Sequence, residues 1–102
     1  MTKRRRWSIY LVRTRDGALY TGIALDVAAR FAAHGDGAGA KALRGRGPLR
    51  LEFHRLVGGL GAALRLEARV KRLPKAEKER LLLRGLPRGW LAAAARAAAP
   101  TT

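Results

Sequence analysis

The sequence predicts an α+β domain in which helices flank a small three-stranded antiparallel sheet. Two alternating apolar segments on either side of an Asp-Gly turn indicate a hairpin near the start of the chain. A third alternating segment, residues 49–57, indicates another strand. Three segments with helical spacing lie between and after the strands, and 102 residues suit one domain with a modest core.

The first two strands are expected at residues 7–15 and 18–24. The loop between them can close with two residues or with three. A slip of one residue turns every side chain of a strand to the other face, so only one register can be right. With two loop residues, Tyr10 would lie opposite Ile23, and the two tyrosines of the hairpin would lie on opposite faces.

We expect the three-residue loop, with Gly17 in the left-handed conformation of a bulge. Tyr10 then pairs with Gly22, and Tyr20 shares its face. Gly22 would leave open space beside the Tyr10 ring, where a substrate backbone could approach. An ordinary half-buried strand position is the alternative interpretation of each tyrosine. The opposite face of this register collects core side chains: Ile9, Leu11, Leu19 and Ile23.

The later elements follow from capping and breaking residues. Asp26 is the expected N-cap of a first helix that ends at Gly35. A glycine-broken basic segment follows and is expected to be irregular or a single helical turn. A longer helix is expected over residues 60–73, and Pro74 suits the first position of the next helix. One stripe of the longer helix and one face of the third strand are expected in the core: Ala63, Leu66, Val70 and Leu73, and Leu49, Leu51 and Phe53.

The chain is expected to have three parts. Residues 1–6 form a basic N-terminal arm, residues 7–86 form the domain, and residues 87–102 form an alanine-rich C-terminal tail. The tail has helix propensity but little to bury beyond Trp90 and Leu91. We therefore expect it to be a frayed appendage.

The charge of the chain indicates a polyanionic partner. Twenty-two Lys and Arg residues against seven Asp and Glu residues give a formal net charge of +15. Repulsion on that scale weakens a compact fold, which favours nucleic acid as the partner, well ahead of an anionic membrane surface. A compositional bias towards Arg, Ala and Gly is the alternative, but it does not account for so few acids.

Several classes of function find no support in the composition. The absence of cysteine excludes a disulfide framework and a thiolate site. No apolar run approaches the ~20 residues of a membrane-spanning helix. The basic start lacks the apolar stretch of a signal peptide, so we expect a cytoplasmic protein without membrane contact, a monomer or weak dimer.

A few polar residues could carry chemistry. Arg30 and His34 are four residues apart on one helix face, where the arginine could fork onto a phosphate. A lone carboxylate such as Glu67 can hold magnesium when phosphate and waters supply the other ligands. The alternatives are a solvated helix face and an ordinary pair between Glu67 and Lys71. Basic residues that suit contacts to a nucleic-acid backbone are Lys41, Arg44, Arg46 and Arg69.

The hairpin resembles the paired motif of the GIY-YIG nuclease superfamily. Ser8-Ile9-Tyr10 is followed after nine residues by Tyr20-Thr21-Gly22. Arg30 and Glu67 follow at fitting positions on later helices. The resemblance covers roughly residues 7 to 85 and is nearest to the small, single-domain bacterial members, which share the features "LYTGIALDVAARFAAH" and "LRLEARVKRLPKAEKERL".

The resemblance implies a metal-dependent endonuclease that hydrolyses DNA phosphodiesters, selects substrate structure and acts in repair or recombination. It implies that Tyr10 is the general base, Arg30 neutralises the scissile phosphate and Glu67 holds Mg²⁺ or Mn²⁺. Tyr20 would orient water or phosphate, with His34 and Lys71 as helpers. We expect the pKa of Tyr10 to be lowered in the complex with substrate. The alternative is a binding module for DNA or RNA on the same scaffold with weak catalysis or none.

The sequence departs from the family pattern at three points. Ser8 stands where the first motif has glycine, and Thr21 stands where the second has isoleucine. The chain contains no asparagine, so a late asparagine of some family nucleases has no counterpart. Its role is left empty or falls to Lys71 or Lys75.

Overall fold

The computed structural model describes residues 5–37 and 39–98, so most of the predicted basic arm and the last four residues lie outside it. Three antiparallel strands form one sheet in the order β2-β1-β3, which confirms the predicted α+β class. A short 3₁₀ turn covers Lys41–Leu43. The strands and helices are β1 (Trp7–Arg13), β2 (Leu19–Ala24), α1 (Val27–Gly35), β3 (Arg50–Gly58), α2 (Leu60–Lys71), α3 (Lys75–Arg84) and α4 (Trp90–Ala98).

The hairpin has the predicted register. Tyr10 lies opposite Gly22 in the β1–β2 pair. Gly17 has a φ of +89°, the left-handed conformation that a glycine adopts without strain. The Thr14 amide donates to the Ala18 carbonyl at 2.9 Å and closes a three-residue loop. Both tyrosines of the hairpin therefore share one face of the sheet.

The central strand β1 is buried on both faces. Ile9 and Leu11 belong to a core with α2 and α4, and Leu19 and Ile23 pack against it as predicted. The other face carries a smaller core around Tyr10. This second core is closed by α1 and the 3₁₀ turn, and its members include Val12, Tyr20, Ala24, Val27, Phe31 and Leu43.

A bulge in β3 overturns the predicted alternation of that strand. Leu11 pairs with Phe53 and Val12 pairs with Leu51, so Glu52 is an extra residue. The strand changes faces at this point. Phe53 packs against the α2 core, whereas Leu49 and Leu51 pack beneath the tyrosines. The three apolar residues therefore do not share one face.

The helices begin and end close to the predicted positions. The Asp26 carboxylate accepts from the Ala29 amide at 3.0 Å and caps α1. The last residue of α1 is Gly35, and its C-cap is Asp36 rather than the expected Gly35. Pro74 is the N-cap of α3 rather than its first residue. In the part of the chain that is described, no helix is both long and apolar enough to cross a membrane. The predicted stripe of α2 is buried: Ala63, Leu66 and Val70, with Leu73 partly so.

The alanine-rich segment is helical over most of its length and is not a frayed appendage there. Ala94 is only 7% exposed and joins the α2 core, with Trp90 and Leu91 packed beside it. The Arg69 guanidinium stacks on the Trp90 ring, 3.8 Å from its centroid. Small alanine side chains allow α4 to lie close to α2, which supplies the partner that the segment alone did not indicate.

Arg13 joins the end of the hairpin to two other elements. Its guanidinium forms a two-bond fork with Glu79 of α3, at 2.7 and 2.8 Å, and donates to Glu52 of β3 at 3.1 Å. It also donates to the Gly17 carbonyl at 3.2 Å. Hydrogen bonding to Glu79 raises the pKa of Arg13, and the same bond lowers the pKa of Glu79. The bulged Glu52 is thus held by Arg13.

Candidate functional site

A chain of hydrogen bonds connects the first tyrosine to the glycine-rich loop after α1. The Tyr10 hydroxyl lies 2.8 Å from Nε2 of His34. Nδ1 of the same imidazole accepts a hydrogen bond from the Ala40 amide at 3.1 Å. Tyr10 is 1% exposed and His34 is 3% exposed, so both groups are removed from bulk water.

These contacts fix the protonation of the imidazole. The Ala40 amide can only donate, so Nδ1 of His34 must accept and carries no proton. A neutral imidazole then holds its proton on Nε2, which donates to the Tyr10 oxygen. Burial, followed by the nearby Arg30 guanidinium, lowers the pKa of His34 and so favours this neutral form. His34 therefore acts on Tyr10 as a hydrogen-bond donor.

The second tyrosine completes a cluster of three rings. The Tyr20 ring centroid lies 6.3 Å from that of Tyr10 and 5.8 Å from that of His34. The Tyr20 ring meets the imidazole edge-on, with an interplanar angle of 73°. Tyr20 is only partly buried, so its ring lies between the enclosed Tyr10 and the solvent.

Charged groups of two helices act on the Tyr10 hydroxyl. Burial raises the pKa of Tyr10, whereas the nearby Arg30 guanidinium of α1 lowers it. The neighbouring Tyr20 and the Glu67 carboxylate of α2 raise it further. The net direction in the free protein is upward. The expected lowering of this pKa concerns the complex with substrate and stays a prediction.

Glu67 is the acidic group of the cluster. Its side chain is 17% exposed and pairs with Lys71, one turn later on α2, at 3.6 Å. Within the described ranges no group of three or more His, Cys, Asp or Glu residues could hold a metal ion. The donor set therefore fits an ion with one protein carboxylate, for which phosphate and water would supply the other ligands.

Gly22 has a different role from the one expected. A Cβ atom built on Gly22 would lie 2.5 Å from the Tyr10 hydroxyl oxygen and 2.6 Å from the ring carbon that carries it. The space beside the tyrosine is therefore filled by the tyrosine itself, and Gly22 is buried. A glycine is needed here because the Tyr10 phenol crosses its backbone.

The basic loop beyond α1 presents two of its three predicted cations to solvent. Lys41 and Arg44 are exposed at the 3₁₀ turn. Arg46 instead forks onto Asp16 at 2.9 and 3.1 Å, which holds the loop against the hairpin turn. Hydrogen bonds from Thr14 and then from Arg46 lower the pKa of Asp16.

Arg69 lies apart from the cluster of tyrosines. It is two residues from Glu67 on α2 and so points to another side of that helix, where it stacks on Trp90. The structure thus brings together Tyr10, Tyr20, Arg30, His34 and Glu67, with Lys71 beside Glu67.

The contact between the loop and His34 was not predicted from the sequence. A Cβ atom on Gly39 would collide with Nδ1 of His34, so the backbone approaches the imidazole where a side chain cannot fit. The next residue, Ala40, supplies the amide. The glycine-rich run "GDGAGA" was the available signal, but its composition alone indicated only a loop.

The fold and the tyrosine cluster define a known class of domain. A model of the GIY-YIG catalytic domain matches residues 6–80. The chain belongs to the GIY-YIG family.

Its relatives are UPF0213 proteins, which form a small, single-domain bacterial branch of that family. The chain is 57% identical over 79 residues to a UPF0213 protein of Citrobacter koseri, covering 78% of this chain and 79% of that protein. It is 57% identical over 76 residues to the UPF0213 protein YhbQ of Salmonella typhimurium, covering 74% and 76% of the two chains. The solution NMR structure of the UPF0213 protein BH0048 of Bacillus halodurans matches with a TM-score of 0.52 and 35% identity, over 94% of this chain and 99% of that chain.

Proposed function

We propose that the protein is a metal-dependent endonuclease that hydrolyses phosphodiester bonds of DNA. The observation that carries this proposal is the arrangement around the Tyr10 hydroxyl, which lies 2.8 Å from Nε2 of His34. The Arg30 side chain of α1 and the Glu67 carboxylate of α2 are close enough to act on it electrostatically. Hydrolysis of a phosphodiester needs a base for water, a cation for the phosphate and a carboxylate for a metal ion. The cluster offers one group of each kind.

The proposed mechanism assigns a proton transfer to the tyrosine. Tyr10, as phenolate, takes a proton from the attacking water while the oxygen of that water bonds to phosphorus. The bond between phosphorus and the leaving oxygen breaks, and the leaving oxygen departs with the electron pair of that bond. His34 donates from Nε2 to the Tyr10 oxygen at 2.8 Å, which stabilises the phenolate. His34 cannot take the tyrosine proton itself, because Nε2 already carries one and Nδ1 is occupied by the Ala40 amide. That proton leaves to solvent before the water is activated.

Arg30 and Tyr20 are proposed to bind and orient the phosphate. The Arg30 guanidinium is exposed and can form two parallel hydrogen bonds with phosphate oxygens. Tyr20 borders Tyr10 on the solvent side and orients the water or the phosphate.

Glu67 would hold the divalent cation, Mg²⁺ or Mn²⁺, and Lys71 would be displaced from the carboxylate. The ion would supply stabilisation of charge on the leaving oxygen. Recognition would follow backbone and shape rather than base sequence, because the cluster holds few groups that could read base edges. Structure-selective action in repair or recombination in the cytoplasm, as a monomer or weak dimer, completes the proposal.

A module that binds DNA or RNA with weak catalysis or none is the second candidate. The ion pair between Glu67 and Lys71 favours it, since a structural pair accounts for the acid without a metal. The two candidates make different demands on Glu67. An enzyme needs its carboxylate, whereas a binding module with a net charge of +15 does not.

The test is a cleavage panel with duplex, flap, junction and single-stranded DNA and with RNA, in Mg²⁺ or Mn²⁺. Glu67→Gln and Arg30→Ala are expected to lower the rate by at least about a hundredfold, a loss typical of removing one charge-stabilising group. Tyr10→Phe should lose a comparable amount.

Glu77→Gln is the matched control, because it removes a helical carboxylate that pairs with Arg80 at 3.4 Å outside the tyrosine cluster. Its rate on duplex DNA should equal that of the unaltered protein. Cleavage that persists in Glu67→Gln and in EDTA would reject the metal-dependent mechanism. Binding without cleavage of any substrate in the panel would favour the module.

A further inference from the structure

A cleft with an apolar floor and a basic rim lies where α3 ends and α4 begins. Its volume is about 390 Å³, within the size range of ligand pockets. None of its lining residues belongs to the cluster around Tyr10. The segment that closes it extends beyond residue 80, where the match to the catalytic-domain family ends. The lining includes Leu73, Leu81, Leu86 and Trp90, together with Arg80, Arg84 and Arg88.

The side chains at the rim of the cleft are mostly hydrogen-bond donors and include few acceptors. Glu77 is its acidic lining residue, and that carboxylate already pairs with Arg80. Arg84 and Arg88 are exposed, and neither forms an ion pair with any residue in the described ranges. Guanidinium groups have no acceptor, so this rim suits a ligand whose anionic groups are acceptors only. Phosphate is such a group.

The aromatic residue of the cleft is held in place. Trp90 packs against the α2 core, and the Arg69 guanidinium lies 3.8 Å from its ring centroid. The indole is therefore fixed between α2 and the cleft rather than free to rotate. A fixed aromatic ring next to cations is the arrangement with which proteins hold unpaired bases, because every base has a face that can stack.

We propose that this cleft binds single-stranded nucleic acid. One base stacks on Trp90, while Arg84 and Arg88 contact phosphates of the same strand. The volume admits a base with its sugar but not a duplex. The inference goes beyond the proposed hydrolysis and does not require it, since the cleft and the tyrosine cluster share no residue. An acidic apolar peptide would also match the rim, but a fixed stacking surface favours a base.

The test uses Trp90 as its own reporter. The chain has two tryptophans, so Trp7→Phe leaves Trp90 as the single tryptophan, which can be excited selectively at wavelengths that tyrosine does not absorb. In EDTA, titration with a twelve-residue oligothymidylate should quench the Trp90 emission to saturation. The blunt duplex of the same length should bind without that quenching.

Two variants, each in the Trp7→Phe background, locate the contact. Arg84→Gln with Arg88→Gln should reduce the slope of log affinity against log salt by about 1.4, because each lost phosphate contact on a single strand is worth about 0.7. Trp90→Leu should lower the affinity for the oligonucleotide about tenfold. Because this variant lacks the reporter, its affinity is measured by the fluorescence anisotropy of a labelled oligonucleotide. The arginine pair is exposed, so it tests the cleft even where Trp90→Leu impairs folding.

Arg55→Gln with Arg72→Gln removes the same charge from an exposed position of β3 and from the exposed C-cap of α2, and is the matched control. An equal loss of slope in this control would overturn the proposal, as would quenching by polyglutamate but not by the oligonucleotide. Failure of the Glu67-dependent cleavage with retained quenching would reject the proposed hydrolysis alone. Absence of quenching with retained cleavage would reject the cleft alone.

Discussion

Gly22 shows how one residue of the hairpin supports another. The Tyr10 hydroxyl and ring cross the backbone of Gly22 at distances that leave no room for a methyl group. The tyrosine can therefore reach His34 only while position 22 has no side chain. The glycine of the second motif is thus explained by the position of the tyrosine of the first.

Gly22→Ala should destabilise the protein and remove the bond between Tyr10 and His34. We expect a loss of about 1–3 kcal/mol in the free energy of unfolding, the usual cost of overpacking a buried site. Urea unfolding measures the loss, and cleavage should fall with it. Gly35→Ala is the control: its new Cβ meets nothing within 4 Å, so stability should hold or rise by at most about 1 kcal/mol. Equal behaviour of the two variants would contradict this account.

His34 makes stability depend on pH near neutrality. Its pKa is lowered in the folded state by burial and by Arg30, so the unfolded chain binds more protons as the pH falls. This contribution to stability is present above the unfolded pKa of about 6.5 and is lost as the pH falls towards the folded value. We predict that Tm drops between about pH 7.5 and 5.5, above the range in which carboxylates titrate.

His34→Gln should remove most of that dependence. His54→Gln, at an exposed position of β3, should leave it unchanged. Thermal unfolding of the three proteins at both pH values provides the measurement. A parallel fall of Tm in His34→Gln and the unaltered protein would show that another group is responsible.

At the scale of elements, Arg13 holds α3 against the sheet. Its fork to Glu79 and its bond to Glu52 join β1, β3 and α3 through one side chain that is 19% exposed. Glu79→Gln would leave Arg13 with a weaker neutral partner and should lower Tm. Glu77→Gln breaks a longer, single-contact pair with Arg80, at 3.4 Å between side chains that are 44% and 56% exposed, and should change Tm less. Equal shifts would mean that the fork does not stabilise α3.

The hairpin could be predicted in detail because its register follows from local chemistry. A glycine at the turn fixes the loop, and the loop fixes which residues face each other. The bulge in β3 could not be predicted, because Leu49, Leu51 and Phe53 have the spacing of a regular strand. The extra residue, Glu52, is held by Arg13 from a distant strand. Long-range contacts of this kind leave no local pattern.

The last helix was missed for a related reason. Alanine gives a segment helix propensity but does not indicate what it packs against. Ala94 is buried and Trp90 is partly buried because α2 presents Leu66 and Arg69 to them. A partner in another element decides whether such a segment packs or frays.

At the scale of the whole molecule, the net charge of +15 should dominate the binding of nucleic acid that the proposed function requires. Affinity should fall steeply with salt, because each neutralised phosphate releases counterions. Lys41→Gln with Arg44→Gln should reduce the slope of log affinity against log salt by up to about 1.8 on duplex DNA, at about 0.9 per contact. Fluorescence anisotropy across a salt series measures it. A matched loss of slope in Arg55→Gln with Arg72→Gln would mean that the loop has no special part.

The members of the site could be predicted from the sequence better than their connections. The family resemblance indicated Tyr10, Arg30 and Glu67, and in the fold Arg30 and Glu67 both influence the pKa of Tyr10, although the roles of all three stay predictions. The partners of Arg46 and Arg69 could not be predicted from the sequence. An arginine can pair with a carboxylate, as Arg46 does, or stack on an aromatic ring, as Arg69 does. Charge alone does not say which cations are already engaged.

The hydrogen bond from Ala40 to His34 depends on the length of the loop after α1 as well as on its composition. The imidazole keeps its proton on Nε2 because a backbone amide six residues downstream reaches Nδ1. Residues added or removed between those two positions would release the ring and allow the other tautomer, in which Tyr10 would be the donor. Insertions and deletions in this loop are therefore expected to leave the His34 tautomer unchanged only if they lie after Ala40.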